Sequence, residues 1–279
     1  MRRLAVMFAA VGLVVSLAAP TAAASARPVE YLAIGDSLAF GYSPLILPFA
    51  TSEFIGYPDV VAAGLRDNLT NASCPGETSS HFIDVGGADH GCGAWRSLGQ
   101  TLHHNYPAAQ LAFVDDFLLG HPKTQLITLD LGANDVGALR DECATAASQV
   151  ACVMAGMPAM LATLSANLDT IYGHIRSTDG YRHKVVGLTF YSPNYTDLIT
   201  TGAIAQVNQV FAERTRAWGG IVADGFVAFA GASAAFGGDT CAAGLRIVTS
   251  ISPLTCDDHP SPAGRDLLAK TIVSVLRAD

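Results

Sequence analysis

The sequence predicts an α/β domain, a three-layer α/β/α sandwich in which helices cover both faces of a central parallel sheet of about five strands. Two observations predict this class. Short, continuous apolar runs such as Gln125–Leu131 (QLITLDL) are typical of strands buried on both faces. Longer segments between these runs repeat apolar residues at helical spacing, so strands and helices alternate along the chain.

The first half of the chain contains three of the predicted elements. Val29–Ile34 is an apolar strand that ends at Gly35. Tyr57–Leu69 carries apolar residues on one helical face, which predicts a helix. Gln125–Leu131 is the next strand, and Gly132 ends it.

The second half continues the alternation up to a final helix. That helix begins with a serine that can cap it and a proline suited to its first turn. In order, the elements are a helix over Met157–Ile175, a strand over Lys184–Phe190, a helix over Ile204–Trp218, a short strand from Gly220–Ala223 and a helix over Ser261–Leu276.

Two segments depart from the alternation. Gly76–Gln100 is rich in glycine and is predicted to be a surface loop tied by a disulfide. Gly231–His259 is a long connection between the last strand and the last helix. Because the chain has no internal repeat, low-complexity tract or linker, we expect a single domain over residues 27–279.

Residues 1–26 have the pattern of a secretory signal peptide. Arg2 and Arg3 precede the apolar run Leu4–Ala19, and small residues follow at Ala24 and Ala26. No later segment reads as apolar and long enough to span a bilayer. We therefore expect an exported, soluble, extracellular protein without stable membrane insertion.

The charge balance limits the partners. The formal net charge of the chain is −8, and its sequence contains no basic run. Such a surface argues against nucleic acid or an anionic membrane as the main partner. We expect a monomer that acts on a small molecule or a lipid.

The cysteines form three neighbouring couples: 74 and 92, 143 and 152, 241 and 256. An even number in an exported chain favours disulfides, and pairing within each couple is the simplest of the 15 arrangements that six cysteines permit. A metal site is the rival interpretation. It is disfavoured because no couple has C-x2-C spacing and no histidine completes a ligand pattern, and we expect no cofactor.

Polar residues stand in three places, two at predicted strand ends and one just before the last helix. Gly35–Leu38 (GDSL) follows the first strand, Gly132–Asp135 (GAND) follows QLITLDL, and Asp257–Pro260 (DDHP) precedes the last helix. In a parallel α/β sheet, ligands bind at the carboxyl ends of the strands. We therefore expect these three segments to meet at one edge of the sheet.

Their chemistry is that of acyl transfer. A serine such as Ser37 needs a base to remove its proton, and His259 has a side chain of suitable pKa. The oxyanion that forms then needs fixed hydrogen-bond donors, and the Asn134 amide is one.

Simpler interpretations exist for each residue. Ser37 could cap a helix that begins near Leu38, and Asn134 could be a turn residue after a strand. The elbow of α/β-hydrolases, G-x-S-x-G, does not fit, because no glycine follows Ser37 before Gly41.

The order of these segments resembles the GDSL, or SGNH, family of serine esterases and lipases. Gly35–Leu38 matches the first block of the family and Gly132–Asp135 matches its G-x-N-D block, while His259 matches the histidine of the last block. Gly76, in NASCPGETSS, matches the glycine block. The resemblance implies a flavodoxin-like SGNH-hydrolase fold with Ser37 as nucleophile. It further implies an oxyanion hole formed by the N–H groups of Ser37 and Gly76 and by the Asn134 amide.

The last block departs from the family pattern. The family usually has D-x-x-H, but Cys256 stands where the acid is expected, and the nearest acids are Asp257 and Asp258. The group that orients His259 is therefore either Asp257, which we prefer slightly, or a backbone carbonyl near Cys256.

The resemblance implies a secreted carboxylic ester hydrolase, an esterase or lipase that forms an acyl-serine. Family alternatives are a polysaccharide O-deacetylase, a phospholipase and an acyltransferase, and a non-catalytic binding module is the alternative from another class. The apolar segment Gly41–Tyr57 follows the nucleophile. It either lines an acyl pocket, presents a lipid-contacting rim or packs in the core.

Overall fold

A five-stranded parallel sheet forms the centre of the molecule, with strand order β2-β1-β3-β4-β5. The structure is a computed structural model that describes residues 29–278. The predicted signal peptide, residues 1–26, lies outside the described residues. The strands are β1 (Glu30–Gly35), β2 (Asn68–Asn71), β3 (Thr124–Asp130), β4 (Lys184–Leu188) and β5 (Ile221–Ala223).

Helices cover both faces of this sheet, as predicted. They are α1 (Ser37–Phe40), α2 (Tyr57–Leu65), α3 (Ser79–Ile83), α4 (Cys92–Ser97), α5 (Gln110–Gly120), α6 (Ala133–Glu142), α7 (Gln149–Gly173), α8 (Leu198–Ala217), α9 (Gly225–Ser233) and α10 (Pro262–Ala278). Alternate residues of β1 face opposite sides. Leu32 and Ile34 pack in one buried cluster, whereas Tyr31 and Ala33 pack in the other. The predicted α/β class is therefore confirmed.

The two segments that break the alternation contain regular structure that the sequence did not predict. Gly76–Gln100 holds α3 and α4. Gly231–His259 holds most of an antiparallel hairpin outside the main sheet, β6 (Arg246–Ile251) and β7 (Leu254–Pro260). Their residues are largely polar or half-exposed, so neither segment has the apolar periodicity that marks an element.

The long helix α7 corrects a second expectation. By length and composition alone, Gln149–Ser177 is apolar enough to cross a membrane, so the prediction that no later segment meets this test was wrong. In the structure this helix packs alongside α8. It contributes Leu164, Leu168 and Ile171 to the buried core, which accounts for part of its apolar character.

Three disulfides join the neighbouring cysteines: Cys74 to Cys92, Cys143 to Cys152 and Cys241 to Cys256. The first ties the loop after β2 to α4, the second links the end of α6 to the start of α7, and the third anchors β7.

Candidate active site

Ser37 and His259 meet at the carboxyl edge of the sheet. Ser37 Oγ lies 2.8 Å from His259 Nε2, although 222 residues separate the two in sequence. Ser37 is the first residue of α1, separated from the end of β1 only by Asp36, and is buried. His259 lies near the end of β7, so a hairpin outside the sheet brings the histidine to the serine.

Asp257 occupies the other side of the histidine ring. Its Oδ1 lies 2.5 Å from His259 Nδ1 and also accepts the His259 backbone N–H at 3.0 Å. The pair is explained by strand geometry, since residues i and i+2 of a strand point to the same face. A strand thus brings an acid two positions before the histidine into contact with it. Cys256 is bonded to Cys241 and offers no carboxylate.

The hairpin that carries this pair is held by a partly buried arginine. Arg246 on β6 donates to the carbonyl oxygens of Asp257 at 2.9 Å and Cys256 at 3.1 Å, and to Asp258 Oδ1 at 2.6 Å. The Tyr42 ring packs against the histidine, with 4.6 Å between ring centroids. The hydrogen bond from His259 and nearby charges such as Arg246 hold the pKa of Asp257 below its usual range.

The turn that presents the serine is capped by its neighbour. Asp36 Oδ1 accepts the Leu38 N–H at 2.9 Å, so Asp36 is the N-cap of α1 and Ser37 is not. The structure thus does not use Ser37 as the cap that the sequence allowed. Within residues 29–278, the Ser37 N–H donates no hydrogen bond, which leaves it available to a ligand.

The residues on either side of Gly76 hydrogen bond to other segments at the carboxyl edge of the sheet. Two residues before it, Cys74 donates its N–H to the Gly35 carbonyl at 3.1 Å. One residue after it, the Glu77 carbonyl accepts Asn134 Nδ2 at 3.0 Å. Gly76 has φ +79°, and a Cβ there would lie 2.7 Å from the Gly91 Cα, so only glycine fits. Its N–H has no acceptor among the described residues.

Asn134 is the second residue of α6 and completes the set of donors. Besides its bond to the Glu77 carbonyl, its Nδ2 donates to Asp36 Oδ2 at the longer distance of 3.3 Å. Donation to a substrate oxyanion therefore draws on the weaker bond, the one to Asp36. The next residue, Asp135, is structural: its carboxylate accepts the Ser79 N–H at 3.0 Å and the Ser79 hydroxyl at 2.5 Å.

A buried glutamine that the sequence reading missed joins two of these blocks. Gln110 Oε1 accepts the Gly35 N–H at 2.7 Å, and Gln110 Nε2 donates to the Gly35 carbonyl at 3.1 Å. The same Nε2 donates to Glu77 Oε2 at 2.9 Å. Gln110 thus fixes the end of β1 against the loop that carries Gly76.

A cavity of about 440 Å³ opens beside the serine and histidine. Helices α6, α7 and α8 form most of its wall, which is mainly apolar. Its aliphatic and aromatic lining residues include Val136, Val153, Met157, Phe190, Ala203 and Val207.

No residue of Gly41–Tyr57 lines this cavity, so the acyl-pocket interpretation of that segment does not match it. Instead, Leu45, Leu47 and Phe49 are exposed at 68%, 75% and 74%.

The sequence of the chain matches a known protein family. A sequence model of the GDSL-like Lipase/Acylhydrolase family matches residues 33–267, most of the chain. None of the curated protein sequences compared with the chain matches it.

Solved structures share the fold at low sequence identity. An extracellular lipase from Streptomyces rimosus superposes with a TM-score of 0.59 at 21% identity, over 88% of this chain and 99% of the lipase. Phospholipase A1 from Streptomyces albidoflavus gives 0.58 at 19%, over 89% and 100%. The acetylxylan esterase Axe2 from Geobacillus stearothermophilus gives 0.53 at 17%, over 89% and 94%.

Proposed function

Because this chain belongs to the GDSL-like Lipase/Acylhydrolase family, we propose that it is an exported carboxylic ester hydrolase that works through an acyl-serine at Ser37. One observation carries the proposal. A continuous series of hydrogen bonds runs from Ser37 Oγ through the His259 ring to the Asp257 carboxylate. This is the arrangement that activates a serine, with a base in contact and an acid that orients the base.

In the first half-reaction, His259 Nε2 takes the Ser37 hydroxyl proton while Oγ attacks the ester carbonyl carbon. The negative charge that develops on the carbonyl oxygen is stabilised by the Ser37 and Gly76 N–H groups and by the Asn134 amide. The carbon–oxygen bond to the alcohol then breaks, and the histidine gives its proton to the departing alcohol.

In the second half-reaction, water replaces the alcohol. His259 removes a proton from water as the water oxygen attacks the acyl carbonyl, and the bond to Ser37 Oγ then breaks. Ser37 recovers its proton from the histidine, and a carboxylic acid leaves. Asp257 remains ionised and stabilises the imidazolium in both halves.

The test is the hydrolysis of p-nitrophenyl esters from acetate to palmitate by the intact protein and by Ser37→Ala. We expect turnover by the intact protein and a loss of at least about 10⁴-fold in the variant. An organophosphonate should label Ser37 stoichiometrically. Absence of both turnover and labelling in the folded protein would establish the binding-module alternative.

The apolar cavity supports an ester of an aliphatic acyl chain over a sugar acetate, because such a chain buries its methylene groups there. Ala203→Phe on α8 should shift the preferred chain to shorter acyl groups and leave acetate hydrolysis unchanged. Leu45→Ser, on an exposed side chain outside the cavity, is the control. A change in chain preference only in Leu45→Ser would instead assign acyl binding to the segment Gly41–Tyr57.

A phospholipid is a second candidate substrate, favoured by a cation in the cavity lining. Arg140 on α6 lines the cavity and is exposed, and within residues 29–278 its side chain has no hydrogen bond or ion pair to the protein. His90, which is bonded to Asp141 at 2.7 Å, lines the same cavity. A cation beside an apolar wall suits an ester that carries both an acyl chain and a phosphate.

Arg140→Gln should lower kcat/KM on phosphatidylglycerol vesicles about tenfold or more relative to monoacylglycerol. Arg277→Gln on α10 makes the same charge change away from the cavity. Equal losses in the two variants, or an equal loss on both lipids, would exclude a phosphate contact at Arg140.

We also propose that the protein acts outside the cytoplasm. Three disulfides suit an oxidising compartment, and residues 1–26 have the pattern of a cleaved signal. N-terminal sequencing of protein from the culture medium should begin after residue 26. Retention of the whole chain inside cells would contradict this proposal.

A further inference from the structure

Two carboxyl groups lie together in the core behind the nucleophile. Asp130 is the last residue of β3 and pairs in register with Gly35 at the end of β1. Asp36 follows directly, and both aspartates are 2% exposed. Among the described residues, no lysine or arginine forms an ion pair with either. A buried pair of this kind requires an explanation, because two unpaired charges in a core are costly.

The contacts show how the pair is satisfied. Tyr57 donates its hydroxyl to Asp130 Oδ1 at 2.7 Å. Asp130 Oδ2 is buried and receives no N–H or O–H from the described residues. An ionised carboxylate can only accept hydrogen bonds, whereas a neutral Asp130 carries no buried charge and has an O–H that it can donate to Asp36.

Backbone packing keeps the Asp130 carboxyl in place. Gly35 has φ +132°, and a Cβ on it would lie 2.6 Å from Asp130 Oδ1 and 2.3 Å from the Asp130 carbonyl oxygen. The carboxyl therefore occupies the space that a side chain at position 35 would fill. This explains why the first strand ends in a glycine immediately before Asp36 and Ser37.

Hydrogen bonding favours the proton on Asp130, because Asp36 accepts the Leu38 N–H and the Asn134 amide, whereas Asp130 Oδ2 has no donor among the described residues. Burial, followed by the adjacent Asp36 charge, raises the pKa of Asp130 well above its usual range. Burial also raises the pKa of Asp36, but the Leu38 N–H and the charge of His259 favour its ionised form. The other titratable groups that face the pair are Asp135 and the buried Tyr31, Tyr57 and Tyr191, whose own pKa values are raised chiefly by burial.

The ionised partner is in direct contact with the catalytic groups. Asp36 accepts the Leu38 N–H that fixes the turn of Ser37, and it accepts the Asn134 amide at 3.3 Å. A second negative charge at Asp130 would strengthen the hold of the pair on the amide and repel the oxyanion that the amide must stabilise.

We propose that Asp130 is a positioning residue that, as the neutral acid, shares its proton with Asp36 and so limits the pair to one negative charge beside the Asn134 amide. The catalytic part of this inference rests on the proposed hydrolase function, whereas the shared proton does not. The pair acts on the reaction through the direction and availability of the Asn134 and Leu38 donors.

The shared proton is tested by the stability of the protein against pH. A folded state that holds one proton more than the unfolded chain loses a factor of ten in its folding constant for each unit by which pH rises, between the usual aspartate pKa and the raised one. Urea unfolding of wild type and Asp130→Asn at pH values from about 5 to 7 measures this difference. We expect the wild-type folding constant to fall about tenfold per pH unit relative to the variant.

The positioning role is tested by kinetics on a soluble ester. Asp130→Ala should lower kcat about 10²-fold with little change in KM, because the loss affects the transition state. Asp130→Asn keeps one donor for Asp36 and one acceptor for Tyr57, so it should recover at least about tenfold of that kcat. Tyr31→Phe is the matched control. It removes the buried Tyr31–Thr128 hydrogen bond of 2.7 Å and leaves Asp36 untouched.

Each outcome tests one part of the proposal, either the shared proton or the positioning role. Parallel pH dependences of stability in wild type and Asp130→Asn would overturn the shared proton, even if Asp130→Ala failed to fold. Equal losses of kcat in Asp130→Asn and Asp130→Ala, or a comparable loss in Tyr31→Phe, would overturn the positioning role. A wild-type protein without esterase activity would refute the hydrolase proposal and leave the stability measurement as the test of the pair.

Discussion

The two halves of the candidate active site are built in different ways. The nucleophile half is Asp36, Ser37 and Asn134. These residues lie at the N-cap of α1, in α1 and in α6, within the central α/β layers, and they are mostly buried. The base half, Asp257 and His259, stands on a hairpin outside the main sheet, with side chains 27% and 22% exposed.

Each half is held by interactions suited to its place. Gln110 and Asp130 fix the nucleophile half by buried hydrogen bonds within the core. The base half relies on local cross-links, the Cys241–Cys256 disulfide and the hydrogen bonds of Arg246. The fold of the whole domain therefore positions the serine, whereas a few contacts in one hairpin position the histidine.

The largest loss of activity should follow from removing the side chain of the serine or of the histidine. We expect His259→Ala to lower kcat at least about 10⁴-fold, as for Ser37→Ala, because the serine loses its base. The double variant should be no worse than either single variant, since the two residues act as one unit. Multiplicative losses in the double variant, measured on one p-nitrophenyl ester, would show that the two halves act independently.

The acid of the base half should have the next largest effect. Asp257→Asn keeps the side-chain shape but loses the charge that stabilises the imidazolium, and we expect kcat to fall by about 10² to 10⁴. Asp258→Asn is the control on the adjacent residue, whose carboxylate pairs with Arg246 at 2.6 Å. Full activity of Asp257→Asn would assign the orienting role to a backbone carbonyl near Cys256 instead.

Removal of either of two disulfides should lower stability, but only removal of the one in the hairpin should also lower kcat. The Cys241–Cys256 disulfide closes a loop of 15 residues, so serine at both positions should lower the free energy of unfolding by about 3 kcal/mol and also lower kcat. Serine at Cys143 and Cys152 opens a loop of 9 residues at the junction of α6 and α7. That variant should lose stability but keep kcat on acetate, as chemical denaturation and kinetics below the unfolding transition would reveal. Equal losses of kcat in both variants would remove the special role of the hairpin.

The same contrast governs what the sequence could predict. β1, β3 and β4 are buried and read directly as apolar runs, as predicted. β2 has the sequence NLTN at the edge of the sheet, and β7 has the sequence LTCDDHP on the half-exposed hairpin, so neither shows such a run. Apolar patterning indicates burial. β2 and β7 pair through their backbones although their side chains are little buried, so their sequences lack the pattern.

The residues of the candidate site could also be predicted only in part. Ser37 and Asn134 were predicted from short motifs at strand ends and His259 from a motif before the last helix, and the structure brings them together. The choice between Asp257 and a carbonyl could not be made, because it depends on whether residues 254–260 form a strand. Gln110 and Asp130 were missed although a signal existed: each is a polar residue among apolar neighbours, and a buried polar side chain needs a partner.

The smallest predicted effect distinguishes the two halves, because their aspartates should make the stability of the protein depend on pH with opposite signs. The depressed pKa of Asp257, caused first by the hydrogen bond from His259, means that the folded state keeps this carboxylate ionised at a lower pH than the unfolded chain does. Its contribution to stability is present above the ordinary aspartate pKa of about 3.9 and is lost as pH falls through the folded value. The contribution of the neutral Asp130 has the reverse sign and is lost as pH rises.

Because Asp257 is partly exposed, solvent screening limits its contribution to about 0.5 kcal/mol. Urea unfolding of wild type and Asp257→Asn at pH values from about 5 down to 3 should show the wild type losing this small advantage, with Asp258→Asn as the control. A wild-type advantage that instead grows toward acid pH would mean that the folded state takes up the proton at Asp257 more readily than the unfolded chain does. The hairpin would then hold a neutral acid against His259, as the core holds one at Asp130, and the electrostatic distinction between the two halves would fail.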